Sequence, residues 1–283
     1  MPEIPELEAI RGFFDEHLAG RTIESVEARI PFIFRTPANE LRETLPGDRF
    51  GTLLRHGKFL LFPLASARIL AINPMLTGRF QFVEAKTRMA AKTCLVLGLE
   101  GGRQLRYRDE KLMGKVYLVP ADSLAAIPNW ATNGPDLLDP ALTEEAWLAA
   151  LKRYRGAIKG ILTKAEFVQG IGNAYSDEIL WAAEINPYTP KTKLSEADLR
   201  RLYRAAHEVM AWATPLARER MVKGDILDYD ERRDFVRVHR RGGQPCPRCG
   251  TAISEITANQ RITSFCRHCQ PGGPSGAGLL GRG

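Results

Sequence analysis

Residues 246–269 read CPRCGTAISEITANQRITSFCRHC, in which two Cys-x2-Cys pairs are separated by sixteen residues. Paired cysteines at this spacing are typical of a tetrahedral zinc site with four thiolate ligands. The predicted ligands are Cys246, Cys249, Cys266 and Cys269. Because four thiolates leave no coordination position for water, we expect one Zn²⁺ with a structural role. We expect no organic cofactor.

The segment between the two pairs, residues 251–265, alternates in the manner of a β-hairpin. Arg261 lies near its middle and would project from a turn that the metal holds rigid. An arginine placed in this way suits contacts to phosphate groups. A solvated surface arginine is the alternative interpretation.

A helical region precedes the cysteine module. Helical patterns cover three segments, at 142–156, 173–185 and 195–213. The last segment begins with Ser195 and Asp198, which have capping-box spacing. Its Leu199, Leu202, Ala206 and Val209 form a stripe that is predicted to face the core.

The turn QGIG at residues 169–172 precedes the second of these helices and places Asn173 at the predicted N-cap. A helix N-terminus that follows glycines exposes backbone N–H groups that suit a phosphate. Many turns between helices carry the same residues for purely conformational reasons, which is the alternative.

Residues 22–120 consist of short apolar or alternating segments separated by Gly, Pro and charged residues. This pattern predicts several short strands and favours a β-sandwich or barrel. Lys58 follows His56-Gly57 at the start of one such strand. A lysine at the edge of a hairpin is the plain interpretation of that residue.

The composition supports a polyanionic partner without requiring one. The chain has 283 residues, a formal net charge of +7 and a pI near 9.3. It shows no secretory leader and no apolar run of the ~18 residues that a membrane helix needs. We therefore expect a cytoplasmic protein, outside membranes. The fifth cysteine, Cys94, lies in a strand-like segment and is expected to be a small buried hydrophobic residue.

The chain begins MPEIPELEAI. Pro5 suits the first position of a helix, since its missing N–H would have no partner within the helix. Leu7, Ile10 and Phe14 then follow at helical spacing. This explanation leaves Pro2 and Glu3 without a role.

These motifs resemble, in the same order, those of the bifunctional DNA glycosylases of the formamidopyrimidine-DNA glycosylase/endonuclease VIII family. The resemblance rests on Pro2-Glu3-x-Pro5-Glu6-x-Glu8, on His56-Gly57-Lys58, on Gly170-Ile171-Gly172-Asn173-Ala174-Tyr175, and on the four-cysteine finger with Gln260-Arg261. It runs from residue 2 to about residue 270.

The resemblance implies an α+β multidomain protein that consists of an N-terminal β-sandwich with an N-terminal helix, a helix–two-turn–helix domain and a β-hairpin zinc finger. The predicted parts are a catalytic domain at 2–127, a linker at 128–140, a DNA-binding domain at 141–242, the finger at 243–271 and a disordered tail at 272–283.

The resemblance also implies a chemistry for the N-terminus. Removal of Met1 would leave Pro2 with a secondary amine, and α-amino groups have pKa values of about 7.7–8.0. Such an amine can attack C1′ of a damaged nucleotide, expel the base and form an iminium, from which the phosphates are eliminated. Glu3 would transfer protons, and Glu6 would position the amine or the sugar.

By the same resemblance, Lys58, Asn173 and Arg261 would bind the phosphates around a lesion in double-stranded DNA, and Lys58 would also take part in catalysis. Met75 would fill the space that the extruded nucleotide leaves, although a core methionine is the alternative. The protein is expected to act as a monomer that associates with the nucleoid through its DNA binding.

The chain departs from the members that act on oxidised purines. Where they carry Asp-Pro-Arg-Arg-Phe-Gly, residues 109–114 read DEKLMG. By the same resemblance, Lys111 takes the place of the arginine that contacts the orphan base, and Met113 takes the place of the phenylalanine that serves as a wedge in the DNA. Lysine cannot make the forked contacts of arginine to a base edge. Lys164-Ala165 replaces an Asp-Gln pair, and a glycine-rich capping loop is missing before the finger. These differences favour oxidised pyrimidines, abasic sites or a broad range of lesions.

Three function classes follow from these observations. The first is a base-excision-repair glycosylase with abasic-site lyase activity that cleaves by β,δ-elimination. The second is a non-catalytic protein that binds damaged DNA, and it would be indicated by loss of Pro2, Glu3 or Lys58, all of which are present. The third, a zinc-ribbon accessory protein, explains the finger and the charge but not the N-terminal motif.

Overall fold

The computed structural model describes residues 1–228 and 233–272. The described residues form two compact units, the first drawn from 1–133 and 211–234 and the second from 134–210 and 235–272. The part of the predicted tail from residue 273 on lies outside the described residues.

The first unit contains two antiparallel sheets and a long N-terminal helix. Its helices are α1 (Ile4–Leu18) and α2 (Ala38–Thr44), with short 3-10 turns at Pro31–Ile33 and Leu124–Ala126. Its strands are β1 (Ile23–Ala28), β2 (Leu54–His56), β3 (Phe59–Pro63), β4 (Arg68–Asn73), β5 (Gly78–Glu84), β6 (Thr93–Leu99), β7 (Arg103–Asp109), β8 (Lys115–Pro120), β9 (Val222–Lys223) and β10 (Ile226–Asp228).

One sheet has the strand order β1-β6-β7-β5-β10-β9 and the other β2-β3-β4-β8. Aromatic side chains fill the core. Phe62 of β3 meets Phe80 of β5 with ring centroids 6.4 Å apart, and Phe14 of α1 lies 5.8 and 5.9 Å from these two rings. The contacts join both sheets to α1, so the helix that begins at the chain terminus is rigidly held.

The prediction of successive short strands is confirmed for this unit, but it misses β7. The strand reads RQLRYRD, and three arginines in seven residues do not indicate a buried segment. Arg106 is nevertheless 1% exposed, because its guanidinium donates to the backbone oxygens of Thr87 and Ala85 and its Nε to Gln104. A fully hydrogen-bonded charge can be buried where an unpaired one cannot.

Cys94 of β6 is fully buried, as predicted. Burial raises the pKa of its thiol to about 11. The thiol therefore stays protonated at neutral pH and is a poor nucleophile and metal ligand.

The second unit carries the helices and the finger hairpin. Its elements are α3 (Glu144–Leu151), α4 (Ile158–Leu162), α5 (Asn173–Ala182), the 3-10 turn Lys191–Lys193, α6 (Glu196–Met221), β11 (Ser254–Ala258) and β12 (Arg261–Phe265). Residues 196–210 of α6 belong to this unit and residues 211–221 to the first. The rings of Trp147, Phe167 and Tyr203 pack together in its core.

The long helix begins as the sequence predicts. The Ser195 N–H donates to Asp198 Oδ2 at 2.9 Å, and the Asp198 N–H donates back to Ser195 Oγ at 3.1 Å, which completes the capping box. The predicted stripe from Leu199 to Val209 is buried. The helix runs on past Pro215 to Met221, beyond its predicted end. Among the described residues, no helix combines the length and apolar character needed to cross a membrane.

The predicted hairpin between the cysteine pairs is confirmed. Strands β11 and β12 pair from Ser254↔Phe265 to Ala258↔Arg261. Asn259 and Gln260 form the two-residue turn with φ of 49° and 60°. Left-handed values at both central residues match the right-handed twist of the strands. The predicted combination of a helix with β-sheets, a helical region and a four-cysteine hairpin is therefore the observed architecture.

Candidate active site and nucleic-acid interface

The first cluster of candidate residues lies at the N-terminus of α1. Glu3 is the N-cap residue, and its backbone N–H donates to Glu6 Oε2 at 2.9 Å, the arrangement of a capping box. Pro2 is buried beside them. The two carboxylate residues are only 2% and 3% exposed. The helix thus holds two buried acids next to the residue predicted to carry the nucleophile.

Arg233 compensates for the charge of these buried acids. Its Nε and Nη2 donate to the two carboxylate oxygens of Glu6 at 2.7 and 2.9 Å. Nη2 also donates to the Met1 carbonyl oxygen at 2.8 Å, and Nη1 lies 3.7 Å from Glu3 Oε1. Arg233 belongs to no motif that was recognised in the sequence. The signal that could have found it is the need of buried carboxylates for a cation.

Lys58 lies in the two-residue turn between β2 and β3, where Gly57 has a φ of 57°. The turn is connected to α1 through Arg55, whose Nε donates to Glu8 Oε1 at 2.6 Å and whose Nη1 donates to the Gly57 oxygen at 2.9 Å. The ring of His56 stacks on that of Trp130 at 4.5 Å. The structure therefore ties the half-buried Lys58 to the helix that carries Glu3.

The loops at residues 74–77 and 110–114 meet through one carboxylate. Asp109 accepts from Thr77 Oγ1 at 2.5 Å and from the Gly114 N–H at 2.6 Å. The Lys111 N–H in turn donates to Thr77 Oγ1 at 3.0 Å. A Cβ at Gly114 would lie 2.0 Å from the Tyr107 hydroxyl, so only glycine permits this close packing.

Apolar side chains stand exposed on these two loops. Met113 is 39% exposed and Leu76 is 41% exposed, whereas Met75 is half-buried. The Met75 backbone has a φ of 47°, and its N–H donates to Asn73 Oδ1. Leu76 is an apolar candidate that the sequence analysis missed, because exposure cannot be read from two adjacent apolar residues.

Asn173 lies at the start of α5, where it contacts the finger hairpin. Gly172 is the N-cap and Asn173 is the first helical residue, so the predicted N-cap is wrong by one position. Glycine is accepted at the N-cap, and the extended backbone of Gly172 leads into the helix without a side-chain hydrogen bond to it. The Asn173 Nδ2 donates to the Ile262 oxygen at 2.8 Å, next to the exposed Arg261. The structure thus brings Asn173 and the base of the predicted phosphate-binding turn together.

A buried charge cluster holds the hairpin against α4 and α5. Asp177, 1% exposed, accepts from Lys159 Nζ at 2.6 Å and from the Ser264 N–H at 3.1 Å, and its Oδ2 lies 2.7 Å from His239 Nδ1. Glu178 accepts from the backbone N–H groups of residues 237, 238 and 239. Sequence reasoning did not single out these residues, since each resembles a solvated charge on a helix.

We expect Asp177→Asn to lower the free energy of unfolding by about 3–5 kcal/mol, because the substitution leaves Lys159 buried without its counter-charge. Urea denaturation of the full chain measures the change. Glu196→Gln is the matched control, since it removes an exposed carboxylate and should cost less than ~0.5 kcal/mol. A loss below about 1 kcal/mol for Asp177→Asn would show that the cluster is not a stabilising contact.

The four predicted zinc ligands converge. Their Sγ atoms all lie within 4.8 Å of one another, with Cys246–Cys269 at 3.9 Å and Cys249–Cys266 at 3.5 Å. Zn–S bonds of ~2.3 Å in a tetrahedron place sulfurs about 3.8 Å apart. The Trp181 Nε1–H donates to Cys246 Sγ at 3.4 Å, which helps to stabilise a thiolate. The geometry therefore fits one Zn²⁺ that the four thiolates enclose.

Sequence profiles of known families match three parts of the chain. Residues 1–116 match the formamidopyrimidine-DNA glycosylase N-terminal domain, residues 133–221 its H2TH domain, and residues 243–272 a zinc finger found in formamidopyrimidine-DNA glycosylase and isoleucyl-tRNA synthetase. The last match agrees with the four-cysteine cluster, and the finger holds one structural Zn²⁺.

Curated relatives match over nearly the whole chain. The formamidopyrimidine-DNA glycosylase of Pelotomaculum thermopropionicum is 32% identical over 275 residues, which cover 95% of this chain and 99% of the relative. The enzyme of the same name from Deinococcus radiodurans is 35% identical and covers 96% and 98%, respectively.

Solved structures give the same picture. The Lactococcus lactis Fpg bound to DNA with an abasic site has a TM-score of 0.86 and 26% identity, covering 95% of this chain and all of that one. The Lactococcus lactis Fpg bound to DNA with an oxidised pyrimidine also has a TM-score of 0.86 and 26% identity, and covers 96% of this chain.

Proposed function

Because this chain belongs to the formamidopyrimidine-DNA glycosylase family, it is a bifunctional DNA glycosylase and abasic-site lyase that acts on oxidised bases, and we propose that Pro2, Glu3 and Glu6 carry the reaction. The observation that supports this assignment is the pair of buried carboxylates at the start of α1. Burial of two acids costs free energy of folding, and here that cost is borne beside the proposed nucleophile, which supports a role for them in the reaction.

The proposed reaction begins after removal of Met1. The Pro2 nitrogen, then a secondary amine, attacks C1′ of the damaged nucleotide while the glycosidic bond breaks. Glu3 accepts a proton from the nitrogen and donates one to the sugar ring oxygen, which opens the ring and leaves an iminium. The iminium draws electrons, so the 3′ and then the 5′ phosphate leave by β,δ-elimination. Glu6, held by Arg233, fixes the start of the helix.

We assign the phosphate contacts to Lys58, Asn173 and Arg261. Lys58 lies in a turn tied to α1, which also suits a part in catalysis, and Asn173 lies at a helix N-terminus against the base of the Arg261 turn. Contacts of this kind position double-stranded DNA without reading its sequence. The protein is proposed to act as a monomer in the cytoplasm, associated with the nucleoid.

The exposed apolar side chains of the loops at 74–77 and 110–114 would fill the space left by the extruded nucleotide. Met75 and Met113 are the candidates from the sequence, and the exposure of Leu76 adds a third. Side chains that insert between base steps in this way are apolar wedges. Lys111, also exposed, would face the orphan base.

The proposed lesions are oxidised pyrimidines and abasic sites in preference to oxidised purines. Lys111 offers a single ammonium where a forked guanidinium would contact a base edge. The similar Lactococcus lactis protein has been solved both with an oxidised pyrimidine and with Fapy-dG in its DNA, so the proposed preference rests on Lys111 and not on this relative. The segment expected to lack a capping loop includes residues 229–232, which lie outside the described residues.

Borohydride trapping tests the proposal. Duplexes with an abasic site, 5-hydroxyuracil or 8-oxoguanine are incubated with the native protein, and Pro2→Gly serves as control. We expect a covalent adduct on the first two duplexes, and a weaker one on the third. Binding of all three duplexes without an adduct, by protein shown to lack Met1, would instead support the non-catalytic alternative.

We expect Arg261→Ala to weaken binding to a lesion duplex by about tenfold, because it removes one phosphate contact. The slope of log K against log salt should become shallower by ~0.9 for that contact. Fluorescence anisotropy at several salt concentrations measures both quantities. Arg267→Ala, an exposed arginine on the same finger, is the control. Equal affinity of the Arg261 variant and the wild type would show that Arg261 makes no phosphate contact that contributes to binding.

A further inference from the structure

Arg233 contacts the carbonyl group that is attached to the proposed nucleophile. Its Nη2 donates to the Met1 carbonyl oxygen at 2.8 Å, and the carbon of that carbonyl is bonded to the Pro2 nitrogen. The peptide carbon is trigonal and its bond to nitrogen has partial double-bond character. As an atom bonded to both the Pro2 nitrogen and an oxygen, it stands in for C1′ of the Pro2 adduct before the ring opens, and the carbonyl oxygen stands in for the oxygen that C1′ still carries.

The guanidinium is held in one orientation. Nε and Nη2 occupy both oxygens of Glu6, at 2.7 and 2.9 Å, in a side-on paired contact. The Arg233 side chain is 14% exposed and that of Glu6 is 3% exposed. Paired, charge-assisted hydrogen bonds of this kind fix the plane of the arginine. The second N–H of Nη2 is thereby aimed at the atoms around the Pro2 nitrogen.

Removal of Met1 takes away the acceptor of that N–H at the moment when the Pro2 amine is formed. When a nucleotide enters, C1′ takes the place of the Met1 carbonyl carbon. The oxygen that C1′ carries, the ring oxygen O4′, lies one bond away, as the carbonyl oxygen does. An acceptor from the substrate can therefore replace the acceptor that processing removes.

We propose that Arg233 is a catalytic residue whose Nη2–H donates to O4′ of the extruded nucleotide, with Glu6 as its anchor; this proposal rests on the proposed role of Pro2. A fixed cationic donor at this place stabilises the negative charge that develops on O4′ as the ring opens.

The step balances without a further reactant except water. The Pro2 lone pair forms the N–C1′ bond, and the electron pair of the glycosidic bond leaves with the base. The base takes a proton from a water molecule, and the hydroxide left in solution balances the positive charge of the iminium. The nitrogen then gives its proton to Glu3 and forms the C1′=N bond. The C1′–O4′ electron pair moves onto O4′, which receives the proton back from Glu3. Arg233 stays protonated throughout and contributes only a hydrogen bond.

A merely structural role would consist in compensating the charges of Glu3 and Glu6. That role predicts a loss of stability on substitution but no dependence on O4′. The two interpretations therefore predict different effects when a single atom of the ligand, O4′, is replaced. A duplex with a tetrahydrofuran residue contains the ring oxygen, and a duplex with the cyclopentane analogue has a methylene in its place.

The experiment measures the affinity of both duplexes for the Met1-processed full chain. We expect the wild type to bind the tetrahydrofuran duplex about tenfold more tightly, as for a hydrogen bond to a charged donor. Arg233→Gln and Arg233→Lys should bring the ratio close to one. Arg218→Gln is the matched control, since Arg218 pairs with the exposed Glu16 in the same unit and its loss should leave the ratio unchanged.

Three outcomes overturn the proposal: a wild-type ratio near one, a ratio unchanged in a folded Arg233 variant, or an equal loss in Arg218→Gln. The ratio of the wild-type affinities for the two duplexes tests the proposal even if both Arg233 variants fail to fold. Borohydride trapping of the same wild-type preparation distinguishes failure of the Arg233 proposal from failure of the proposed nucleophile. A normal adduct with a ratio of one rejects only the role of Arg233, whereas absence of any adduct rejects the proposed nucleophile.

Discussion

Glu3→Gln is expected to abolish release of the damaged base while it leaves affinity for the lesion duplex nearly unchanged. Glutamine has the same shape as glutamate and keeps a carbonyl oxygen, so the start of α1 should be preserved. It cannot accept and return a proton. Loss of a general acid–base residue typically costs 10²–10⁴-fold, and we expect a fall of about that size.

Single-turnover excision from a 5-hydroxyuracil duplex measures the rate, and fluorescence anisotropy measures the affinity. Glu16→Gln is the matched control on the same helix, because Glu16 is exposed and pairs only with Arg218 among the described contacts. That variant should excise at the wild-type rate. A Glu3→Gln protein that releases the base within tenfold of the wild type would exclude Glu3 as the proton-transfer group.

Removal of zinc is expected to unfold the finger and to lower DNA affinity by more than about 100-fold. Structural zinc contributes apparent free energies of about 10–16 kcal/mol in small fingers, far more than a two-stranded hairpin supplies. Without the metal, the hairpin that carries Arg261 and the contact of Asn173 with that hairpin are both lost. The nucleophile at Pro2 is not a ligand and is not touched directly.

Chelation and Cys266→Ser provide two routes to this state, and Cys94→Ser is the control because Cys94 lies outside the cluster. Released zinc is measured with a colorimetric indicator, DNA affinity by anisotropy and lyase activity on an abasic duplex. Full lyase activity at low DNA concentration in metal-free protein would contradict the role of the finger in binding.

The prediction of the fold succeeded where the signal is local. The cysteine spacing, the capping box at Ser195 and the buried stripe of α6 all depend on residues a few positions apart, and all three are observed. The strand β7 escaped prediction because burial of Arg106 requires acceptors from a neighbouring loop. The roles of Pro2, Glu3 and the phosphate-binding residues, and the domain boundaries, remain predictions.

The candidate site was predictable in its motifs but not in its partners. Arg233 and Glu6 are separated by 227 positions, and nothing in the periodicity of either segment joins them. Leu76 and Met75 are equally apolar in sequence, yet only Leu76 is largely exposed. In the sequence, Asp177 looks like any carboxylate on a helix, whereas in the structure it is buried and contacts Lys159 and His239.

By itself, the sequence determined the zinc ligands, the order of the strand-rich and helical regions and the family to which the N-terminal motif belongs. These features follow from ligand spacing and from short-range backbone preferences. The tertiary structure alone decided which arginine compensates the buried acids and which apolar side chain stays exposed. The reason is physical, since a charge or an apolar group acquires its environment from residues that only chain folding brings near.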